Sequence, residues 1–144
     1  MKKIGFIGAY DKTDLIIYIA KILTTLKKKV LVIDATTKQK ARYVVPVINP
    51  TKMYVTEYEE IDIAVGFPNI EDIKKYLGYS EEQDLDYDIV LIDTDSIEGF
   101  NIFKLEESFK NYFVTSFDAY SLKKGTKVDP IIKNSLICCI FAKY

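Results

Sequence analysis

Two hydrophobic periodicities alternate along the chain. Continuous apolar runs at Lys3 to Ile7, Lys29 to Ile33, Ile61 to Val65, Asp88 to Ile92 and Leu136 to Phe141 read as strands, with Tyr112 to Ser116 a shorter sixth. Most are continuous rather than alternating, which predicts parallel strands covered on both faces. Val30-Leu31-Val32-Ile33 and Ile89-Val90-Leu91-Ile92 are the clearest, and each is followed by an aspartate, Asp34 or Asp93.

Helical spacing fills the intervals. Lys12 to Leu26 carries Leu15, Ile16, Ile19, Ile22, Leu23 and Leu26 on one predicted stripe, widened by Ile17 and Ala20. Asn69 to Leu77 opens on a capping residue and stops at Gly78. Phe100 to Phe109 and Leu122 to Lys133 are further helical segments, the latter interrupted by Gly125 and Pro130. Tyr43 to Ile48 is strand-like, although Pro46 restricts it to an edge or an extended loop. Met53 to Tyr58 reads as an antiparallel addition. The alternation predicts an α/β domain in three layers: a mostly parallel twisted sheet with helices on both faces and right-handed crossovers.

Composition narrows the classes. The 144 residues suit a single domain spanning 1–144, long enough to bury a core. Twenty basic and 21 acidic residues leave a net charge of −1, so there is no global attraction to nucleic acid or anionic membrane. The 11 tyrosines are scattered without a stacking pattern, and Lys27-Lys28-Lys29 reads as a solvated helix end, so no nucleic-acid signal emerges. The absence of histidine excludes Ser-His-Asp triads and imidazole metal sites. Adjacent Cys138 and Cys139 in an apolar run read as core thiols of a reducing compartment. No segment approaches the roughly 18 consecutive apolar residues of a membrane span, and a cytoplasmic location is expected.

Candidate chemistry gathers where strands end. Ligands of open parallel sheets bind beyond the carboxyl ends of the strands, where the loop after the first strand, Asp34 and Asp93 would converge. Gly8-Ala9-Tyr10-Asp11-Lys12-Thr13-Asp14 occupies the position of a phosphate loop. There a lysine can reach β/γ-phosphates, a threonine hydroxyl can ligate Mg²⁺, Asp93 can hold the metal's water shell, and Asp34 can orient a water.

With Val-Leu-Val-Ile-Asp at 30–34 and Tyr-Asp-Ile-Val-Leu-Ile-Asp-Thr at 87–94, the chain resembles the MinD/ParA family of deviant-Walker P-loop ATPases over nearly its whole length. Those proteins position cell-division, chromosome-partition or secretion machinery. The resemblance implies ATP and Mg²⁺ as ligands, Gly8, Asp11, Lys12 and Thr13 at the cofactor seat, and Thr13 and Asp93 at the metal. Asp34 is the candidate for a catalytic role. A protein partner or homodimer is implied as well, and family members usually continue beyond the point reached by Tyr144.

Departures from the family pattern change the expected activity. The family loop reads Lys-Gly-Gly-x-Gly-Lys-Thr-Thr; aligned on Lys12-Thr13, its signature lysine falls on Ile7 and its glycines on Gly8, Ala9 and Asp11. Asp34-Ala35-Thr36 replaces Asp-x-Asp, and Asp93-Thr94-Asp95 replaces Asp-Thr-Pro or Asp-Ser-Pro. Asp11 is expected to N-cap the first helix, with Asp14 echoing a capping box, and so to supply internally the anion that phosphate supplies in an active relative. The expected function is a degenerate P-loop NTPase-like binding, localisation or regulatory module with weak or no ATP hydrolysis. A slow Mg-ATPase of the partition or positioning class is the alternative. Receiver and flavodoxin readings fit poorly, because Gly8-Ala9 stands where a receiver needs acids and a flavodoxin a hydroxyl-rich loop.

Overall fold

The computed structural model describes residues 1–47, 51–115 and 137–141. The chain runs β1 (Lys2–Ile7), α1 (Thr13–Thr25), β2 (Val30–Asp34), α2 (Ala41–Val44), β3 (Tyr54–Tyr58), β4 (Ile61–Val65), α3 (Ile70–Leu77), β5 (Ile89–Thr94), α4 (Ile97–Ile102), a 3-10 turn (Leu105–Glu107), β6 (Lys110–Thr115) and β7 (Ile137–Phe141). The seven described strands form one sheet in the order β3-β4-β2-β5-β1-β6-β7. Every neighbouring pair is parallel except β3–β4, so Met53 to Tyr58 does supply the antiparallel addition.

Two cores flank the sheet. On one face Ile16 and Ala20 of α1 meet Phe6, Val30, Val32, Ile63 and Leu91. On the other, Ile73 of α3 and Phe100 of α4 meet Leu31, Ile33, Val90 and Ile92. Successive side chains of a strand point to opposite faces, so a central strand must be apolar throughout to serve both cores. That is why β2 and β5 are unbroken aliphatic runs up to the aspartate near each carboxyl end. Register places Asp34 opposite Asp93 and Phe6 opposite Asp93, bringing the carboxyl ends of β1, β2 and β5 level.

The helices correct several expectations. On α1 the buried row is Thr13, Ile16, Ala20 and Thr24, whereas Ile22 and Leu26 are exposed beside Tyr18. Leu15, Ile17, Ile19 and Leu23 flank that row, partly buried against the same core. Tyr43-Val44 belongs to the short helix α2 rather than a strand, because Asp34 Oδ2 accepts a hydrogen bond from the Ala41 N–H (3.0 Å) and closes a turn there. The segment expected to be helical at Phe100 to Phe109 starts earlier and ends earlier. Ser96 Oγ caps it by accepting from the Gly99 N–H (3.0 Å), and Lys104 in the left-handed region (φ 51°) ends it.

Asn69 and Gly78 act as expected at α3. Asn69 Oδ1 accepts from the Asp72 N–H at 2.8 Å, and Gly78 takes φ 82° at the C-terminus. The expected segment Leu122 to Lys133 lies outside the described residues.

Candidate functional site

The site lies at the carboxyl ends of β1, β5 and β2, in a cleft lined by the loop entering α1, the loop after β2 and the loop after β5. Gly8 opens the first of these. Its φ is 146°, and a Cβ there would collide with the Val114 carbonyl oxygen of β6. Close backbone approach by β6 therefore suffices to require glycine at this position, with no phosphate needed to explain it.

Lys12 is almost fully buried (2% exposed) and points inward. Its ammonium donates to the Gly8 carbonyl (2.7 Å) and the Thr94 carbonyl (3.1 Å) and stands 2.6 Å from Asp93 Oδ1. The Asp93 contact is ionic rather than a well-directed hydrogen bond, since Oδ1 has no partner at hydrogen-bonding angles. Burial pushes the Asp93 carboxyl up to about 6 against the opposing pull of Lys12, with Asp34 and Asp95 adding to the rise. This pair ties β1, α1 and β5 together from within.

Asp11 does not occupy the N-cap; Lys12 does, one residue later than expected, because its own carbonyl starts the helix by accepting from Ile16. The carboxylate still reaches the helix start, with Oδ1 accepting from the Thr13 N–H at 3.2 Å. Asp11 Oδ2 accepts from Lys40 Nζ at 2.9 Å. Burial works to raise the Asp11 carboxyl, but the Lys40 and Thr13 hydrogen bonds outweigh it and hold the group below the usual carboxylate range. Asp14 lies in the first turn of α1, where a negative charge complements the helix dipole. Among the described residues it makes no capping-box bond back to Asp11.

Asp34 is buried and satisfied by its own loop. Oδ1 accepts from the Thr36 N–H (3.0 Å) and the Thr36 hydroxyl (2.6 Å), and Oδ2 from the Ala41 N–H. The next acid, Asp95, accepts from the Thr37 N–H (3.0 Å) and the Thr37 hydroxyl (2.7 Å). Asp11, Lys12, Thr13 and Asp93 thus share the cleft with Thr36, Lys38, Lys40 and Asp95, while the Asp34 carboxylate folds the loop behind it. The sequence reading missed Lys38 and Lys40 and took Thr36 and Asp95 only as departures. The Asp34-x-Thr36 spacing is a local signal for an Asx-type turn, but nothing local announces the Lys40–Asp11 pair, whose members lie 29 residues apart.

The groups that would meet a magnesium–triphosphate are engaged within the chain itself. The cation that would reach phosphate is held by two carbonyls and Asp93, and a carboxylate takes the amide of Thr13.

Comparison with known proteins places the architecture. No protein-family model matches the chain, and no curated protein matches it in sequence. Solved structures do match. MinD in the MinC:MinD cell division complex of Aquifex aeolicus aligns with TM-score 0.69 at 17% identity, over 100% of this chain and 69% of that one. A ParA family ATPase from Chlorobium tepidum aligns with TM-score 0.63 at 16% identity, over 97% and 73%. MinD from Pyrococcus horikoshii, solved with Mg-ADP, aligns with TM-score 0.60 at 18% identity, over 97% and 68%. The chain has the fold of the MinD and ParA ATPases.

Proposed function

We propose that this MinD/ParA-type fold carries a degenerate nucleotide site and works as a binding, localisation or regulatory module with weak or no ATP hydrolysis. The observation that carries the reading is the Asp11 carboxylate at the start of α1, bonded to the Thr13 amide. Helix N-termini favour anions because their amides and dipole face outward. Here the chain's own anion meets that demand, and a second negative group brought alongside would be repelled. The inward setting of Lys12 works in the same direction, since a ligand that drew it out would leave a buried carboxylate without its counterion.

Calorimetric titration of the whole chain with ATP and Mg²⁺, together with a phosphate-release assay, tests the proposal. The expected result is no saturable binding in the micromolar range and no release above background. Micromolar binding that disappears in Lys12→Ala would sink it. The slow Mg-ATPase stays as the second reading because Lys12, Thr13 and Asp93 still line one cleft. That reading requires phosphate release that vanishes in Asp93→Ala.

A localisation module needs something to hold. The MinD neighbour was solved in complex with MinC, and we propose a protein partner or a second copy for this chain too, in the cytoplasm. Tyr18 and Ile22 of α1 and Leu26 at its C-cap support this, forming an exposed apolar row at i, i+4 and i+8. Among the described residues no helix is long and apolar enough to cross a membrane.

A further inference from the structure

Helix α1 carries two apolar faces where a surface helix ordinarily carries one. On the inner face Ile16 and Ala20 pack against the sheet. On the outer face Tyr18, Ile22 and the C-cap residue Leu26 are 64%, 46% and 64% exposed, and neither core of the described residues includes them. At 100° per residue the three fall within an arc of about 80° on the side opposite Ala20. Charge of opposite sign bounds the row at its two ends. Asp14 lies one turn before Tyr18, and Lys27 and Lys28 follow Leu26. Among the described residues none of these three charges enters an ion pair.

A face with an acid at one end, bases at the other and an apolar row between them is its own complement under a two-fold axis, the symmetry of an isologous dimer. From this complementarity we infer that the outer face of α1 is the interface with a second copy of this chain, the two α1 helices running antiparallel. A two-fold axis at the level of Lys21 sets Tyr18 of each copy between Ile22 and Leu26 of the other, ridge into groove. The same axis brings Asp14 level with Lys28 of the other copy, and the helix dipoles lie head to tail. Parallel helices would instead set acid on acid and base on base. Lys21 itself, beside the axis, is already paired with Glu59 of its own copy.

This inference rests on the reading of the chain as a binding module, and names what it binds. Sedimentation equilibrium of the whole chain without nucleotide tests it. Self-association in the micromolar range is expected, since a contact of one helix face falls at the small end of specific interfaces. Ile22→Glu sets two carboxylates near the axis and should weaken the dimer at least about a hundredfold, with the thermal melt unchanged. Asp14→Lys and Lys28→Glu should each weaken it about tenfold, because the two-fold counts every contact twice. The double swap should restore it to within about threefold of the native chain. Within one copy the two positions stand about 20 Å apart along the helix, beyond the roughly 8 Å screening length of physiological salt, so rescue can arise only between copies.

A chain that stays monomeric to about 1 mM leaves the face to a different protein and overturns the inference. A dimer indifferent to Ile22→Glu, or a double swap that associates no better than the single ones, overturns it as well. These three outcomes leave the reading of the nucleotide site standing. A dimer that forms only with ATP and Mg²⁺ and ignores Ile22→Glu overturns both. If Ile22→Glu does not fold, Tyr18→Glu takes its place, and the charge swap decides by itself.

Discussion

Replacing Asp93 by asparagine should change how stability depends on pH, and the size of the change follows from the site. The carboxyl is almost fully buried and its pKa is raised from 3.8 to about 6, chiefly by burial. A carboxyl whose folded pKa lies above its unfolded value stabilises the fold in its protonated form. That contribution is present in full below about pH 4 and is lost as pH rises through 6. A rise of roughly two units corresponds to about 3 kcal/mol at about 1.4 kcal/mol per unit.

The asparagine side chain cannot ionise, so the variant should lack this loss. Denaturant unfolding of both proteins at pH 4, 5, 6 and 7 gives the comparison, because the other titrating groups largely cancel in the difference. Native stability minus Asp93→Asn stability should fall by about 3 kcal/mol from pH 4 to 7. In thermal melts the same trend should read as a relative Tm change of about 10 °C, at about 2–4 °C per kcal/mol for a domain of this size. The offset at any one pH also contains the cost of depriving buried Lys12 of its counterion, so the slope alone carries the argument. A difference that stays constant across the range would refute the claim that burial outweighs Lys12 at Asp93.

Other substitutions probe the scaffold around the cleft. Asp34→Ala leaves the amides of Thr36 and Ala41 without their acceptor, and should cost about 2–4 kcal/mol in denaturant melts and release the β2–α2 loop to proteolysis. Gly8→Ala sets a Cβ against the Val114 carbonyl at a positive φ, and should cost about 3 kcal/mol or more, read as a lowered Tm or loss of soluble protein. Asn69→Ala removes the acceptor for the Asp72 amide and should cost about 1 kcal/mol, with α3 affected first in hydrogen exchange.

The sheet was largely legible because a parallel strand covered on both faces has to be apolar along its covered length, as Val30–Ile33 of β2 and Ile89–Ile92 of β5 are. The ends of α3 were legible because a cap and a left-handed stop are chosen by residues within one turn, here Asn69 and Gly78. The boundaries of α2 and α4 were not. Asp34 recruits Ala41 from seven residues away, and Ser96 begins α4 ahead of the apolar residues that suggested a later start. Likewise the apolar stripe on α1 predicted its period but not its depth. Ile22 and Leu26 belong to that stripe and are exposed, while Thr13 and Thr24 are buried.

The site divides the same way. Sequence alone determined that Asp34 and Asp93 close apolar strands and that a lysine and a threonine open the first helix, because strand ends and helix starts are local events. Only the tertiary structure decided what those groups do. Lys12 has a cleft on one side and two carbonyls with a buried carboxylate on the other, and the inward set satisfies its charge. Asp11 and Lys40 meet because the β2–α2 loop folds back over the start of α1, an encounter that neither residue encodes in its neighbours. Period, capping and strand character are properties of a short segment; which carboxylate a lysine neutralises is a property of the packed whole, since it depends on what burial leaves within reach.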